Sequence, residues 1–288
     1  MPELPEVEVV KKSLKKTIYR LTLKHIDIRN KFLRYKIDHN TLKKLIYSKV
    51  LSISRRSKYI LIKLDNGNTI LIHLGMTGKI IIIDSSNIKH KSSFYFKIKD
   101  NDPKHDHVIF RFHNNIKFIY NDVRKFGFIK VEKSNRISFN KHLSILGPEP
   151  LSQYFNVSYF KEKVKKRKIF LKDLLMDQKF VSGLGNIYVN EVLFSACLKP
   201  QKKANKLSEK NIKNLVFYIK KILKKAIKEG GSSIKDFNNA EGMEGNFQQF
   251  FNVYGKKGEK CSRQKCVGKI KSVKISNRSS FFCPICQK

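Results

Sequence analysis

Two groups of residues near opposite ends of this 288-residue chain could do chemistry. The first is the opening stretch MPELPE. An initiator Met before Pro is usually trimmed, so the mature chain is expected to begin at Pro2. An α-amino group titrates near about pH 8, well below a lysine, so a useful fraction is uncharged and nucleophilic at neutral pH. Proline is also a secondary amine, and its attack on an aldehyde-like sugar carbon gives an iminium with no N–H to lose. That lasting cation is an electron sink. It acidifies the neighbouring sugar C–H bond, and elimination of attached phosphates can follow. A carboxyl beside the amine, such as Glu3, could protonate the ring oxygen as the sugar opens, and a lysine could assist later proton transfers. The plainer reading of Glu3 and Glu6 is helix-end electrostatics, since carboxylates favour the positive end of a helix dipole. On those two residues alone the plainer reading is preferred.

The second group is Cys261, Cys266, Cys283 and Cys286, two close pairs separated by a length that suits a β-hairpin. Four thiolates so placed make a closed tetrahedral zinc site, structural in role because no coordination position remains for water. The first pair is spaced C-x4-C where C-x2-C is commoner. Disulfide pairing is the alternative, and an intracellular chain disfavours it. Cys197, alone in EVLFSACL, reads as a buried helix residue.

Lys and Arg number 61 against 23 acidic residues, a formal charge of +38. An excess of this size implies a polyanionic partner, nucleic acid first, because neutralising phosphates releases condensed counterions. Abundant Lys, Ile and Asn without Trp would also follow from an AT-rich genome. Such bias inflates the charge, yet basic residues recur at the particular turns named below. The first residues are acidic and lack a continuous apolar core, so no secretory signal is read. The longest apolar run, at Ile80–Ile83, is far short of a membrane span. The expectation is a cytoplasmic protein with no membrane partner.

These residues must be positioned by two kinds of element. Leu4, Val7, Leu14 and Ile18 keep helical spacing with Val10 beside them, so a helix follows the N-terminus, with Pro5 suited to its first turn. From about Ile26 to Val131 short apolar or alternating runs (YILIKL, TILIHLG, HVIFRF, IKFIY) are punctuated by DNGN and NN, which predicts an antiparallel sandwich. LGPEPLS at 146–152 reads as a linker. Beyond it helices are predicted over 158–167, 169–177, 186–197 and 208–228. VSGLGNIY lies between two of them. Gly183 and Gly185 there free the backbone to present amides to a phosphate at a helix N-terminus, although such turns are common without any ligand. NNAEGMEGNFQQ reads as a mobile loop. The organisation expected is a catalytic β-sandwich domain at 1–133, a linker at 134–155, a helical DNA-binding domain at 156–250 and a zinc hairpin at 251–288. The fold class is α+β.

In order along the chain, PELPEVE, RRSKYILI, HLGMTG, KHDH, NDVRKFG, LGPEPL, MDQKFVSGLGNIYVNE, VYGKKGEKC and FFCPICQK resemble the formamidopyrimidine-DNA glycosylases, bacterial enzymes that remove oxidised purines such as 8-oxoguanine and then nick the strand. The resemblance covers essentially the whole chain. It implies that Pro2 is the Schiff-base nucleophile, Glu3 the proton donor and Glu6 a support for the terminal site. It implies Lys58 as the β-elimination proton donor, beside its plainer reading as a phosphate-binding lysine, and Arg278 as the hairpin arginine assigned to δ-elimination. His73, His105, Arg124 and Arg167 would bind DNA, and Asn186 would contact a phosphate at the helix turn. Any such enzyme must evert its target nucleotide and fill the gap, at an unstacking cost of a few kcal/mol. Met76, Arg124 and Phe126 would be inserted, Met76 and Phe126 as apolar wedges beside tight glycine turns and Arg124 reading the orphaned base. Thr77 departs from those members that carry a carboxylate at its position.

Endonuclease VIII-like glycosylases do the same chemistry on oxidised pyrimidines, but typically carry Gly where Leu4 stands and lack the wedge set. A non-catalytic zinc-dependent DNA-binding factor would need neither Pro2 nor Glu3. A ribosome-associated basic protein would explain charge and zinc but not the N-terminus. The reading is a bifunctional DNA glycosylase and AP lyase, with one structural zinc ion, that binds double-stranded DNA containing a damaged base. By analogy with the family it is a monomer. It combines the N-terminal antiparallel sandwich, a helical domain with a helix–two-turn–helix element and a C-terminal zinc β-hairpin.

Overall fold

The computed structural model describes residues 2–83, 89–92 (backbone alone), 102–232 and 246–288. Two compact units result, one of residues 1–144 with 227–248, the other of 145–226 with 249–288.

The first unit opens with α1 (Leu4–Ile18), which has Pro5 in its first turn and ends where Arg20 adopts a left-handed φ of 64°. The strands follow: β1 (Leu23–Ile28), β2 (Val50–Arg56), β3 (Tyr59–Leu64), β4 (Asn68–His73), β5 (Gly78–Ile83), β6 (Lys89–Ser92), β7 (Asp106–Phe112), β8 (Lys117–Asp122) and β9 (Phe128–Lys133), with a short α2 (His39–Lys43) after β1. They form a five-stranded sheet in the order β1-β7-β8-β5-β6 and a four-stranded sheet in the order β2-β3-β4-β9, and every pairing is antiparallel. Alternation explains the packing: Ile60, Ile62 and Leu64 of β3 face inward with Ile80 and Ile82 of β5 and Phe110 and Phe118 of β7 and β8. Val7, Val10, Leu14 and Ile18 of α1 join that core, so burial of this stripe fixes where the N-terminal residues sit. The β7–β8 turn uses Asn114 and Asn115 at φ 68° and 58°, two successive left-handed residues of the sort a tight hairpin needs.

In the second unit the helices are α3 (Val157–Val164), α4 (Leu171–Met176), α5 (Asn186–Ser195) and α6 (Glu209–Lys228), followed by a hairpin of β10 (Lys271–Ile275) and β11 (Arg278–Phe282). Helix α5 is buried on all sides from Ile187 to Phe194, whereas α6 buries one stripe through Ile212, Leu215, Ile219, Leu223 and Ala226. Residues 145–156 carry no regular helix or strand, yet they are tied down: the Gly147 N–H donates to the Gln178 carbonyl and the Ser182 N–H to the Pro148 carbonyl. Cys197 departs from the sequence expectation. The helix closes at Ser195, and Cys197 follows in a left-handed conformation (φ 57°), half-buried, its N–H bonded to the Phe194 carbonyl. Of the expected mobile loop, 238–245 lies outside the described residues, and Phe247–Phe250 is a 3-10 turn.

Candidate functional site

Pro2, Glu3 and Glu6 are all buried at the head of α1. Glu6 Oε2 accepts the Glu3 N–H at 2.8 Å, within a capping box. Its other oxygen, Oε1, accepts both the N–H and the hydroxyl of Ser232 at 2.9 Å. With donors on both oxygens, Glu6 is an anchor that ties the first helical turn to residue 232.

Lys58 sits beside a second carboxylate brace. Glu8 Oε2 accepts from Arg55 Nε at 2.8 Å, and Arg55 Nη1 donates to the Ser57 carbonyl at 2.8 Å. This holds the β2–β3 turn, where Ser57 has φ 54° and Lys58 is only 7% exposed. Burial pushes the Glu8 carboxyl up, but hydrogen bonds and charge from Lys11 and Arg55 outweigh that and hold it below its usual 4.5. His73 lies against the Tyr59 and Phe128 rings, with centroids 4.9 and 5.5 Å away, and its Nδ1 accepts the Gly75 N–H at 3.1 Å. Desolvation, with the Lys58 and Arg34 charges, pulls its pKa down to about 3. It is neutral at physiological pH, and any contact it makes with a phosphate is as an Nε2–H donor.

The three expected wedge residues occupy two adjacent turns. Met76, 39% exposed, is in the β4–β5 turn, and Phe126, 44% exposed, follows the exposed Arg124 in the β8–β9 turn. The Arg124 guanidinium lies 4.5 Å over the Phe126 ring. The two turns touch backbone to backbone. Gly75 has φ 62°, and a Cβ there would fall on the Gly127 amide, while one on Gly127 would collide with the Tyr120 hydroxyl. Residue Asp122, fully buried, was not singled out from sequence. Its Oδ1 accepts from the Thr77 hydroxyl at 2.5 Å and its Oδ2 from the Gly127 N–H at 2.9 Å; Thr77 Oγ1 in turn accepts the Arg124 N–H at 3.0 Å. The Tyr120 hydroxyl donates to the His73 carbonyl at 3.1 Å. His105, half-buried, ends the short 3-10 turn before β7.

In the second unit Asn186 opens α5 directly after the two-glycine turn, which Gln178 shapes by accepting the Gly183 N–H and donating to the Leu184 carbonyl, both at 2.8 Å. Gly183 there has φ 90°. Lys172, also missed, is buried, and its Nζ donates to Asn186 Oδ1, to the Ser279 carbonyl and to Ser280 Oγ. Asn186 Nδ2 donates to the same Ser279 carbonyl at 3.1 Å, so the helix turn and the residue next to Arg278 are one network. Arg278 is exposed at the start of β11, presented by a turn whose two central residues, Ser276 and Asn277, are both left-handed. Arg167 is half-exposed, pairing with Asp177 at 3.2 Å and lying 5.9 Å over the Phe180 ring.

The four cysteine sulfurs lie within 4.8 Å of one another, and each of the four thiols is unbridged. Neighbouring Sγ atoms are 3.1 to 3.7 Å apart, against about 3.8 Å for the edges of a tetrahedron with 2.3 Å metal–sulfur bonds. The donor set fits a four-thiolate metal centre. The Cys266 thiol is drawn down to about 7 by its Cys286 neighbour, so at least one thiolate forms readily. Arg263, inside the wider C-x4-C loop, donates to the Phe194 and Ser195 carbonyls and so caps α5. Gln287 ties the other knuckle down, accepting the Cys283 N–H and donating to the Leu198 carbonyl.

A buried N-terminal proline on a β-sandwich, with a glycine-turn helical module and a cysteine hairpin, is the architecture of helix–two-turn–helix DNA glycosylases. Family models agree: residues 1–129 match the formamidopyrimidine-DNA glycosylase N-terminal domain and residues 146–238 its H2TH domain. A formamidopyrimidine-DNA glycosylase of Roseobacter denitrificans is 41% identical over the full length of both chains, and one of Rickettsia conorii 37% identical over 100% of this chain and 99% of its own. Among solved structures, the Lactococcus lactis enzyme in complex with abasic-site DNA superposes with a TM-score of 0.86 at 35% identity over 99% of each chain. The wild-type Lactococcus lactis enzyme with DNA containing N7-benzyl-Fapy-dG gives 0.86 at 36% over the whole of both. The chain belongs to the formamidopyrimidine-DNA glycosylase family. Among the described residues no helix is long and apolar enough to cross a membrane.

Proposed function

We propose that this protein is a base-excision repair enzyme that excises oxidised purines from double-stranded DNA and cleaves the strand at the resulting site. The observation that carries the mechanism is the buried Pro2 at the head of a helix whose first turn Glu6 locks in place. With Met1 removed, the Pro2 amine attacks C1′ of the everted nucleotide and the C1′–N9 bond breaks, the base leaving with a proton. Glu3 gives its proton to O4′ as the ring opens, and the nitrogen lone pair forms the C1′ iminium. Loss of a C2′ proton expels the 3′-phosphate, with Lys58 moving protons in this step. Loss of a C4′ proton then expels the 5′-phosphate, assisted by Arg278, and water hydrolyses the adduct to restore the amine.

Met76, Arg124 and Phe126 fill the gap left in the stack. His73 and His105 in the first unit, and Arg167 and Asn186 in the second, hold phosphates. Zinc on Cys261, Cys266, Cys283 and Cys286 is structural and supplies no step. The protein acts in the cytoplasm as a monomer. Incision of matched duplexes separates this reading from the pyrimidine-directed one. Cleavage at 8-oxoguanine opposite cytosine should exceed cleavage at 5,6-dihydrouracil, and the reverse order would contradict it.

A further inference from the structure

Resting on the glycosylase reading, we propose that Asp122 and Thr77 are positioning residues that lock the Met76 turn and the Arg124–Phe126 turn into a single preformed wedge. The two turns belong to different sheets, since β4 and β9 lie in the four-stranded sheet while β5 and β8 lie in the five-stranded one. Each turn leaves one sheet and enters the other. The strand ladders pair the two turns at their ends, His73 with Phe128 and Gly78 with Asp122, and leave the residues between those ends to be held by other bonds. Between those ends, one carboxylate and one hydroxyl join the turns. Asp122 grips both turns at once, Oδ1 on Thr77 of the first and Oδ2 on Gly127 of the second. Thr77 passes the link on, because the oxygen that donates to Asp122 also accepts the Arg124 N–H. Met76 and Arg124, the residues flanking this bridge, are thereby held at a set separation, with Phe126 stacked under Arg124. Close approach of Gly75 and Gly127 completes the clamp.

A hydroxyl suits this position because it donates and accepts together, which neither a carboxylate nor an alkyl group can do. Held in advance, the wedge loses little freedom on entering the stack, so more of its contact energy is available to offset unstacking. Without the bridge the turn residues between the paired ends would have to be ordered at the moment of insertion.

The test measures two reactions side by side: single-turnover excision from a duplex with one 8-oxoguanine opposite cytosine, and cleavage of a single-stranded abasic oligonucleotide, which has no stack to open. Thr77→Val keeps the shape but removes both hydrogen bonds, and Thr77→Ser restores the hydroxyl. The expected result is about a tenfold slower duplex excision for Thr77→Val, recovered by Thr77→Ser, with single-strand cleavage unchanged in both. A 2-aminopurine base placed next to the lesion should brighten more slowly with Thr77→Val, as insertion is delayed. Equal duplex rates for Thr77→Val and wild type would overturn the proposal. So would an equal loss on both substrates, which marks a general structural defect. A wild-type protein that processes neither substrate would instead sink the glycosylase reading itself, and the wedge lock with it.

Discussion

The N-terminal turns and the cysteine hairpin are both held by polar groups, but over very different foundations. In the sandwich, Glu6, Glu8 and Asp122 brace turns that rest on an extensive apolar core running from Val7 to Ile129. The hairpin rests on a cluster of five buried residues, Phe194, Val253, Cys261, Ile270 and Cys283, two of which are themselves metal-type ligands. A cluster that small cannot offset the entropy of ordering the last forty or so residues, so this region needs a staple. The contrast teaches that Pro2 and the turns carrying Met76, Arg124 and Phe126 rest on a large core of their own, whereas the presentation of Arg278 is expected to depend on bridging of the four thiolates.

The largest effect should come from removing that staple. Chelation of the metal, or Cys283→Ser, is expected to weaken binding to an abasic-site duplex at least about a hundredfold, while circular dichroism of the sandwich strands and their melting stay close to wild type. Loss of both together would erase the distinction between the two regions. Next, Glu6→Gln places an amide N–H2 where one of two donors, Glu3 N–H or Ser232, must be met. Removing a charged acceptor of this kind is worth about 2 kcal/mol, so single-turnover adduct formation should slow by about thirtyfold with DNA binding little changed. A fall in affinity instead would mean that Glu6 serves the surface rather than the nucleophile.

The smallest effect concerns Glu8. Its folded pKa lies below the ordinary 4.5, so its contribution to stability is fully present above that value and fades as pH falls through the depressed folded value. Glu8→Gln should therefore cost about 1 kcal/mol at pH 7 in urea unfolding, with the difference shrinking as pH falls below the ordinary 4.5. A deficit independent of pH would show that Glu8 acts by packing rather than by charge.

What was legible in the sequence is what is local. Pro2 and Glu3 are neighbours, the cysteines come in pairs, and the glycines at 75, 78 and 127 bracket Met76 and Phe126, so each could be read from a few letters. The long strands and α6 were legible by period alone. Helix ends were not: 186–197 closes at Ser195 because Arg263, far along the chain, takes the last carbonyls, and 158–167 closes at Val164 ahead of an Arg167 that pairs with Asp177. The supports were invisible for the same reason. Glu6 meets Ser232, Lys172 meets Ser279 and Ser280, and Asp122 meets Thr77, and no spacing in one sequence announces partners so distant. NDVRKFG pointed to Arg124 and Phe126, yet nothing in it shows that Asp122, the last residue of β8, bonds to Thr77 and Gly127.

The most direct test of the central claim is borohydride trapping on a duplex bearing one 8-oxoguanine opposite cytosine, run with the trimmed protein, with Pro2→Gly and with a form that retains Met1. The account predicts a covalent adduct mapped to Pro2 in the trimmed protein, lost when Met1 blocks the amine. Pro2→Gly keeps a terminal amine and should trap more weakly. An adduct of equal yield with Met1 in place, or one mapped to Lys58, would contradict it.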